Sequence, residues 1–286
     1  MNNISVVVPA VNEEKTIGTV IDDIEAALTK ANIGFEIIVV EDGSDDNTYD
    51  IIKERKVQIV RHPVCGGYGL SLRDGILKSQ YNHIVIIDAD GTYPAAQIPE
   101  LVGGLDQYDM VVGARKGRHY KESFLKHTLR LILQMICEFV AGRRIPDVNS
   151  GFMAFKKDVV LKYKETFCLG FSFTTTITLA FHLNGHFIKY IPAAYYARTG
   201  RRTHVKFLRD SLRTAQIITQ AILYYNPIKL FIMLAFMVFV MAVVAFSVYY
   251  VNGSVFLLTI GTAFLVLSFV YLGMGLIAEE MRISKR

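Results

Sequence analysis

The sequence lacks charged residues over a long C-terminal stretch. Residues 230–278 contain no Asp, Glu, Lys or Arg, whereas the preceding part of the chain mixes apolar and charged side chains as a soluble α/β protein does. A helix crosses the roughly 30 Å hydrocarbon core of a bilayer with about 20 apolar residues. The stretch is long enough for two crossings, with a turn at residues 251–254. We therefore predict a hairpin of membrane-spanning helices, 230–250 and 255–278, rather than a buried helical pair, which would usually show a polar face.

Cysteine is also scarce. Cys65, Cys137 and Cys168 are far apart and match neither a disulfide framework nor a metal-ligand spacing. Five histidines form no metal-ligand spacing either, and we interpret them as incidental: His62, His83, His119, His127 and His182. This pattern argues against a disulfide-stabilised domain and against a Cys/His metal centre, and it fits a reducing compartment.

The charges that flank the uncharged stretch predict its orientation. Lys229 precedes it, Arg282, Lys285 and Arg286 follow it, and the turn between the two predicted helices carries no charge. Positively charged flanks stay on the cytoplasmic side of a membrane. We therefore expect both ends of the hairpin, and the whole N-terminal region, in the cytoplasm.

Basic residues concentrate just before the hairpin. The chain has a net charge of +5, and this segment contributes Arg198, Arg201, Arg202, His204, Lys206, Arg209 and Arg213. Such a cluster could bind nucleic acid, but its position beside a bilayer favours anionic lipid headgroups or a lipid phosphate. We therefore expect membrane lipids and no nucleic acid as partners. Residues 206–226 combine these charges with apolar side chains and predict an amphipathic helix in the membrane interface.

The N-terminal part alternates short apolar runs with amphipathic helical stretches. The runs are rich in β-branched residues, as buried strands are, and they occupy residues 4–8, 35–40, 57–61, 84–87 and 110–112. One helical stretch, residues 16–31, places Ile17, Val20, Ile21, Ile24 and Leu28 on one stripe, and residues 68–79 form another. This alternation predicts a mostly parallel sheet with helices on both faces. We predict an α/β domain at 1–205, the interfacial helix at 206–226, and the hairpin with its basic tail at 227–286.

Acidic residues follow three of the predicted strands. They lie in residues 9–14, 41–48 and 88–91. Because ligands of such sheets bind beyond the carboxyl ends of the strands, we expect these loops to converge on one site. Two carboxylates at positions i and i+2, as in Asp88 and Asp90, suit a hard divalent cation that keeps open positions for phosphate oxygens. The sequence therefore predicts Mg²⁺ or Mn²⁺ bridging a diphosphate.

The three loops resemble the nucleotide-sugar signature of family-2 glycosyltransferases with the GT-A fold. The resemblance is carried by residues 8–13 (VPAVNE), 41–48 (EDGSDDNT) and 88–90 (DAD). Further motifs at 112–115 (VGAR), 147–152 (DVNSGF) and 171–176 (FSFTTT) resemble the branch that glycosylates polyprenyl phosphates, which includes dolichol-phosphate mannose synthase. The similarity runs from about residue 4 to the hairpin, and two C-terminal membrane helices are familiar in that branch.

This resemblance implies roles for individual residues. Those expected to bind the nucleotide are Pro9, Asn12 and Glu13 around the base and ribose, and Asp42 at the base. Asp88 and Asp90 would flank the diphosphate as metal ligands. Ser150, Gly151 and Asp147 would line the sugar and acceptor pocket, and Arg115, Arg198, Arg202 and Lys206 would bind the acceptor phosphate. The residues expected to be catalytic are Asp90, Asp147 and Arg115.

The chain departs from the family pattern at two informative places. A family segment reading Arg-x-x-Gly-x-Ser-Lys corresponds here to RTGRRTHVK at 198–206, so Arg202 and Thr203 replace the Ser-Lys pair. A glutamine that often completes the metal shell after Asp-x-Asp is replaced within Gly91-Thr92-Tyr93. Water or Thr92 is expected to substitute for that glutamine.

The expected reaction moves one sugar, with inversion, from a UDP- or GDP-sugar to undecaprenyl or dolichyl phosphate at the cytoplasmic membrane face. A phosphate monoester already carries about 1.5 to 2 negative charges, so positioning and electrostatics should supply most of the rate. Two alternatives stay open: transfer to another membrane lipid, and a non-catalytic membrane partner that binds nucleotide sugars. A lipid hydroxyl would need a true base, for which Asp147 is the candidate unless it pairs with Arg143 or Arg144. A homo-oligomer is compatible with the sequence.

Overall fold

The computed structural model describes residues 3–116, 124–166, 173–198, 216, 219, 222–223 and 226–284. The chain divides into two compact units, Met1–Ile217 and Ile218–Arg286. The predicted interfacial helix at 206–226 lies almost entirely outside the described residues, so it stays a prediction.

The first unit is built on a seven-stranded sheet in the order β3-β2-β1-β4-β6-β5-β7. β6 runs antiparallel to both of its neighbours, and the other pairs are parallel. The strands are β1 Ile4–Ala10, β2 Phe35–Asp42, β3 Gln58–His62, β4 His83–Ile86, β5 Met110–Lys116, β6 Met153–Lys156 and β7 Ile188–Ala194. The predicted mostly parallel sheet is confirmed, and each predicted apolar run forms one of the strands β1 to β5.

Two strands escaped prediction for physical reasons. β6 reads MAFK and lacks the β-branched residues that mark the other short strand, β4. β7 lies at the edge of the sheet and alternates buried with exposed residues. It contains Pro192, which lacks a backbone N–H and is tolerated in a strand mainly at a sheet edge.

Helices cover both faces of the sheet, as predicted. Their bounds are α1 Ile17–Lys30, α2 Thr48–Lys53, α3 Tyr68–Lys78, α4 Ile98–Gly103, α5 Phe124–Ala141, α6 Lys157–Val160 and α7 Phe173–Leu183. Short 3₁₀ turns lie at Ala95–Gln97, Gly104–Asp106 and Leu161–Thr166. The stripe predicted for α1 is buried in full.

Side chains of the central strands alternate between two apolar cores. In β1, Val6 and Val8 pack in the core that contains α1 and α4, and Val7 packs in the opposite core with α3 and α7. Such burial on both faces explains why these strands read as continuous apolar runs. The sheet is therefore a rigid platform whose carboxyl edge carries the loops between strands and helices.

The second unit contains two long apolar helices, α8 Pro227–Asn252 and α9 Val255–Ile283. Gly253 links them in the left-handed conformation, with φ 63°. Both helices are long and apolar enough to cross a membrane. They run beyond the predicted 230–250 and 255–278, because polar end residues extend each helix; Glu279, for example, accepts hydrogen bonds from Arg282 one turn later.

Small residues bring α8 and α9 into contact. Gly261, Ser268 and Gly275 of α9 are buried and lie seven residues apart. A side chain at Gly261 would collide with Phe246, and one at Gly275 would collide with Phe231. Close approach through small residues is the usual way in which helices associate in lipid. Many other large apolar side chains of both helices, such as Phe236, Met237 and Phe269, are exposed.

Candidate active site

The loops after β1 and β2 are locked together by reciprocal hydrogen bonds. Asn12 has φ 55°, in the left-handed region that Asn tolerates better than most residues. Its backbone N–H donates to Ser44 Oγ at 3.1 Å, and its side-chain Oδ1 accepts from the N–H of Asp45 at 2.8 Å. The N–H of Glu13 donates to Thr48 Oγ1 at 2.8 Å. Pro9, inside β1, is buried. The two loops therefore form one fixed wall.

Asp88 and Asp90 follow β4 at the same edge. The Tyr68 hydroxyl donates to Asp88 Oδ1 at 2.8 Å, and Gly151 packs so closely on Asp88 that a side chain there would collide with the carboxylate. Desolvation, helped by the negative charge of Asp90, raises the pKa of Asp88 to about 7. Thr92 donates to Asp90 Oδ1 through its N–H at 3.1 Å and its hydroxyl at 2.6 Å. Thr92 thus orients Asp90.

A guanidinium group lies between the first wall and these carboxylates. Arg198 donates a hydrogen bond to the buried Glu13 carboxylate, and its Nε lies 3.7 Å from Asp90 Oδ2. Desolvation raises the pKa of Glu13, although Arg198 opposes that shift. The carboxylates of Glu13, Asp88 and Asp90 therefore concentrate negative charge around the positively charged guanidinium of Arg198.

The chemistry of these carboxylates fits a divalent cation shared with a ligand. Within the described ranges there is no group of three or more His, Cys, Asp or Glu side chains arranged to hold a metal ion. Mg²⁺ is commonly held by one or two carboxylates together with substrate phosphates. Asp88 and Asp90 are the pair that would supply those carboxylates.

Asp147 and Arg115 form a buried ion pair. Arg115 Nε and Nη2 each donate to the Asp147 carboxylate at 2.8 Å, and the backbone N–H of Arg115 adds a third contact at 3.1 Å. The two side chains are only 11% and 3% exposed. The partner of Asp147 is therefore Arg115, and not Arg143 or Arg144 as in the alternative interpretation of this residue.

Ser150 and Gly151 support the floor of the site. The fully buried Ser150 hydroxyl donates to the carbonyl oxygen of Gly113 in β5 at 2.7 Å. The N–H of Gly151 donates to the Tyr93 hydroxyl at 2.9 Å. These contacts hold the segment before β6 directly beneath Asp88. The predicted contact of both residues with sugar or acceptor stays a prediction.

Asp42 is enclosed by the loop between β3 and α3. The N–H groups of Gly66 and Gly67 each donate to its carboxylate at 2.8 Å, and His62 Nδ1 lies 2.7 Å from Oδ1. Desolvation acts in the opposite direction, but these hydrogen bonds lower the pKa of Asp42. The other ring nitrogen of His62 lies 3.2 Å from Asp74 of α3. The interpretation of His62 as incidental is therefore wrong.

A surface cavity opens beside this enclosed carboxylate. Its volume is about 390 Å³, and it is lined by Gly43, Ser44, Asp45, Arg61, His62 and Pro63. Arg61 pairs with the buried Glu41 at 3.1 Å and stacks 3.8 Å from the centre of the Tyr49 ring. Sequence reasoning missed His62, Tyr68 and Tyr93. The usable signal was their position, since His62 ends β3, Tyr68 begins α3 and Tyr93 lies in the loop after β4.

Arg202 and Lys206 lie outside the described residues. Their predicted contact with an acceptor phosphate is therefore carried by sequence alone. Of the predicted acceptor-phosphate residues, Arg115 and Arg198 are described. Arg115 lies near the carboxyl end of β5, which runs in the same direction as β4, and Arg198 lies 3.7 Å from Asp90, so both are at the edge that carries Asp88.

The fold and the carboxylates at its edge define a glycosyltransferase of GT-A type. Glucosyl-3-phosphoglycerate synthase from Mycobacterium tuberculosis, in complex with Mn²⁺, UDP-glucose and phosphoglyceric acid, matches 77% of this chain with a TM-score of 0.62. The match covers 79% of that chain at 22% identity, which shows a shared fold. The chain belongs to glycosyl transferase family 2, whose sequence profile matches residues 5–164.

Curated relatives carry names that point to lipid-phosphate acceptors. A dolichyl-phosphate hexose transferase of Haloferax volcanii is 27% identical over 202 residues, which is 70% of this chain and 85% of the relative. An undecaprenyl-phosphate 4-deoxy-4-formamido-L-arabinose transferase of Photorhabdus laumondii is 28% identical over 166 residues. That match covers 56% of this chain and only about half of the relative, 51%.

Proposed function

We propose that this protein transfers one sugar, with inversion, from a UDP- or GDP-sugar to a polyprenyl phosphate at the cytoplasmic face of a membrane. The observation that carries the proposal is the juxtaposition of Asp88, Asp90 and Glu13 with Arg198. An edge that holds both carboxylates and a guanidinium suits a reaction between two anions. The names of the two curated relatives support a polyprenyl phosphate as the acceptor.

Asp88 and Asp90 are the proposed ligands of Mg²⁺ or Mn²⁺. When bound, the ion neutralises the diphosphate of the donor and stabilises it as a leaving group. Tyr68 and Gly151 fix the Asp88 carboxylate, and Thr92 fixes that of Asp90. These contacts preorganise the two carboxylates, so that little free energy is lost to their reorganisation during the reaction.

The guanidinium groups are proposed to bind the attacking phosphate. Arg198 is one candidate, since it already lies between Glu13 and Asp90. Arg115 is the second, and Asp147 acts as its positioning residue through the two-pronged ion pair. Arg202 and Lys206 are further candidates for this phosphate contact on the basis of sequence alone. Because Asp147 accepts hydrogen bonds from Arg115 on both oxygens, it is poorly suited to serve as a base for a lipid hydroxyl.

The donor nucleotide is proposed to lie against the wall formed by Pro9, Asn12 and Glu13, with its base towards Asp42. The cavity beside Asp42 supports this location. The two long apolar helices would anchor the protein, and their basic flanks support a cytoplasmic location of the first unit. Nucleotide sugars are then available on the same side as the site.

The test uses the full chain in nanodiscs. The protein is incubated with a panel of UDP- and GDP-sugars, with undecaprenyl or dolichyl phosphate, and with Mg²⁺ or Mn²⁺. We expect a glycosylated polyprenyl phosphate with inverted anomeric configuration, identified by mass spectrometry and NMR. EDTA and Asp90→Asn should both abolish the product. Transfer to diacylglycerol instead, or full turnover in EDTA, would contradict the proposal.

A further inference from the structure

Tyr195 lies directly after β7, where the backbone is bonded to two neighbouring parts of the site. The N–H of Tyr195 donates to the carbonyl oxygen of Lys116, the last residue of β5, at 3.0 Å. The N–H of Tyr196 donates to the carbonyl oxygen of Thr92 at 2.9 Å. Thr92 is the residue that orients Asp90. The chain after β7 is therefore attached both to β5 and to the loop that carries this carboxylate.

The ring of Tyr195 makes a cation–π contact with Arg115. The guanidinium carbon of Arg115 lies 5.6 Å from the centre of the ring. This distance is within the roughly 6 Å at which a cation is attracted to the face of an aromatic ring. The Asp147 carboxylate already holds one edge of the same guanidinium through Nε and Nη2. The ring thus supplies a second contact of a different kind.

Tyr195 is itself held by buried aromatic side chains. Its ring packs edge to face on that of Tyr93, with the ring centres 5.4 Å apart. Tyr93 also packs on Phe152, with ring centres 5.5 Å apart, and both of these residues are buried. The Tyr93 hydroxyl accepts the N–H of Gly151, and Gly151 packs directly on Asp88. A continuous series of packed groups therefore runs from the ring of Tyr195 to that carboxylate.

We propose that Tyr195 is a positioning residue for the acceptor, because its ring holds the guanidinium of Arg115 in a fixed place relative to Asp88 and Asp90. The inference rests on the proposed function, in which Arg115 binds the acceptor phosphate. A guanidinium that is held in advance loses less conformational freedom when the phosphate binds. Since Asp147 still pairs with Arg115 when the ring is lost, the ring should affect acceptor use more than the fold.

Three substitutions separate the ring from its surroundings. Tyr195→Leu removes the aromatic face and keeps an apolar side chain, and Tyr195→Phe keeps the ring. Tyr108→Leu is the matched control, because Tyr108 packs against the same apolar core as Tyr195 and has Lys189 5.7 Å from its ring centre. That second cation–π contact lies at the opposite end of the parallel pair β5 and β7. Each full-length variant is assayed in nanodiscs with undecaprenyl phosphate, Mg²⁺ and the nucleotide sugar that the parent uses best.

We expect Tyr195→Leu to raise the KM for undecaprenyl phosphate about 3- to 30-fold, the range for loss of a cation–π contact. Tyr195→Phe should restore the parental KM, and Tyr108→Leu should leave it unchanged. The affinity for UDP or GDP, measured by calorimetry, should be the same in all three variants and the parent. A general loss of structure would change both affinities together.

A fourth substitution tests whether Tyr195 acts through Arg115. Arg115→Lys keeps a positive charge beside Asp147 but removes the planar guanidinium that stacks on an aromatic ring. Arg115→Lys alone should raise the KM for undecaprenyl phosphate. In that background, Tyr195→Leu should raise the KM by less than about twofold more, because residues that act as one unit are not additive.

The outcomes separate the role of Tyr195 from the proposed function. A rise in KM for Arg115→Lys without one for Tyr195→Leu overturns the role of Tyr195 and leaves the proposed function in place. An equal rise for Tyr195→Phe would assign the effect to the hydroxyl, and an equal rise for Tyr108→Leu would assign it to general destabilisation. Either result, or a full further loss in the Arg115→Lys background, overturns the inference. An unchanged KM for Arg115→Lys contradicts the proposed phosphate contact of Arg115, and the inference fails with it.

Discussion

The carboxylates of the candidate site differ in how the protein engages them. Asp42 accepts two backbone N–H groups and faces His62, and Asp147 accepts two guanidinium N–H groups from Arg115. Asp88 and Asp90 accept hydrogen bonds from the Tyr68 hydroxyl and from Thr92, and Arg198 approaches Asp90 at 3.7 Å. A carboxylate that already accepts two hydrogen bonds from a guanidinium has less capacity for a ligand than one held by neutral donors. We therefore infer positioning roles for Asp42 and Asp147.

The Arg115–Asp147 pair should be energetically coupled. We expect Arg115→Gln and Asp147→Asn each to destabilise the protein by about 3–5 kcal/mol, because either change leaves a buried charge without its partner. The double variant should lose less than the two single losses combined. Thermal unfolding of the full chain in detergent measures this coupling.

The matched control for this comparison of single and double variants is the exposed pair Asp50 and Lys53, whose side chains are 64% and 55% exposed. Asp50→Asn should change stability little, because solvent screens an exposed ion pair. Additive losses at Arg115 and Asp147 would contradict a positioning role for Asp147.

His62 and Asp74 should act together on nucleotide binding. Each ring nitrogen of His62 lies within hydrogen-bonding distance of a carboxylate, so Asp74 orients the ring that holds Asp42. We expect His62→Gln and Asp74→Asn each to weaken UDP or GDP binding about tenfold, the value of roughly one net hydrogen bond. Calorimetry measures the affinity, and Asp22→Asn, at an exposed carboxylate, is the control. Unchanged affinity in both variants would show that Asp42 is oriented without the hydrogen bonds that join it to His62 and Asp74.

At the scale of helices and strands, contacts between neighbouring elements stabilise the fold more than local secondary-structure propensity does. α7 and β7 illustrate this point, because His182 of α7 is buried and its Nε2 lies 2.9 Å from the Tyr190 hydroxyl of β7. Desolvation lowers the pKa of His182 to about 4. A strand at the sheet edge is thus joined to a helix through a neutral imidazole.

The titration of His182 predicts acid sensitivity. The folded protein holds the imidazole neutral down to about pH 4, whereas the unfolded chain protonates it near its ordinary pKa of about 6.5. Stability from this group is therefore complete above about pH 6.5 and declines as the pH falls to 4, by on the order of 3 kcal/mol. His182→Gln should flatten that part of the curve of unfolding free energy against pH. Parallel curves of unfolding free energy against pH for variant and parent would refute the attribution of this pH dependence to His182.

The hairpin helices should depend on their small residues. Gly261→Leu would drive a side chain into Phe246, and overpacking of this kind costs about 1–3 kcal/mol. Gly273→Leu is the matched control on α9, because a Cβ at Gly273 meets nothing within 4 Å. SDS titration in mixed micelles, followed by circular dichroism, should show earlier loss of structure only for Gly261→Leu. Equal midpoints would mean that the helices do not pack through Gly261.

At the scale of the whole molecule, the two units divide the work that the proposed function requires. One unit supplies a sheet edge with fixed carboxylates, and the other supplies apolar helices without a polar face. The proposed orientation follows from the basic residues at both ends of the hairpin and the uncharged turn between α8 and α9.

Orientation is tested by labelling cysteines in intact cells. Ser254→Cys, directly after the turn residue Gly253, should react with an impermeant thiol reagent added outside, and Ser284→Cys after α9 should not. The native Cys65 is exposed and serves as a cytoplasmic control that reacts only after lysis. The reverse pattern would place the carboxylate site on the side of the membrane opposite to nucleotide sugars.

Sequence by itself determined the features that depend on local patterns. The uncharged stretch predicted α8 and α9 because crossing a bilayer requires a length of apolar residues and nothing about their partners. Continuous β-branched runs predicted β1 to β5, and the acidic loops predicted the edge at which Asp88 and Asp90 lie. These inferences succeed because each rests on periodicity, length or the residue that follows a strand.

Tertiary structure alone decided which side chains face one another. Asp147 pairs with Arg115, 32 residues away, and Arg198 reaches Glu13 across 185 residues, so sequence distance gave no guide to either contact. His62 has no metal-ligand spacing, yet the parallel order β1-β2-β3 places it beside Asp42. The physical reason is that the energy of a charge or hydrogen bond depends on spatial separation and burial, and the packing of the whole sheet sets both.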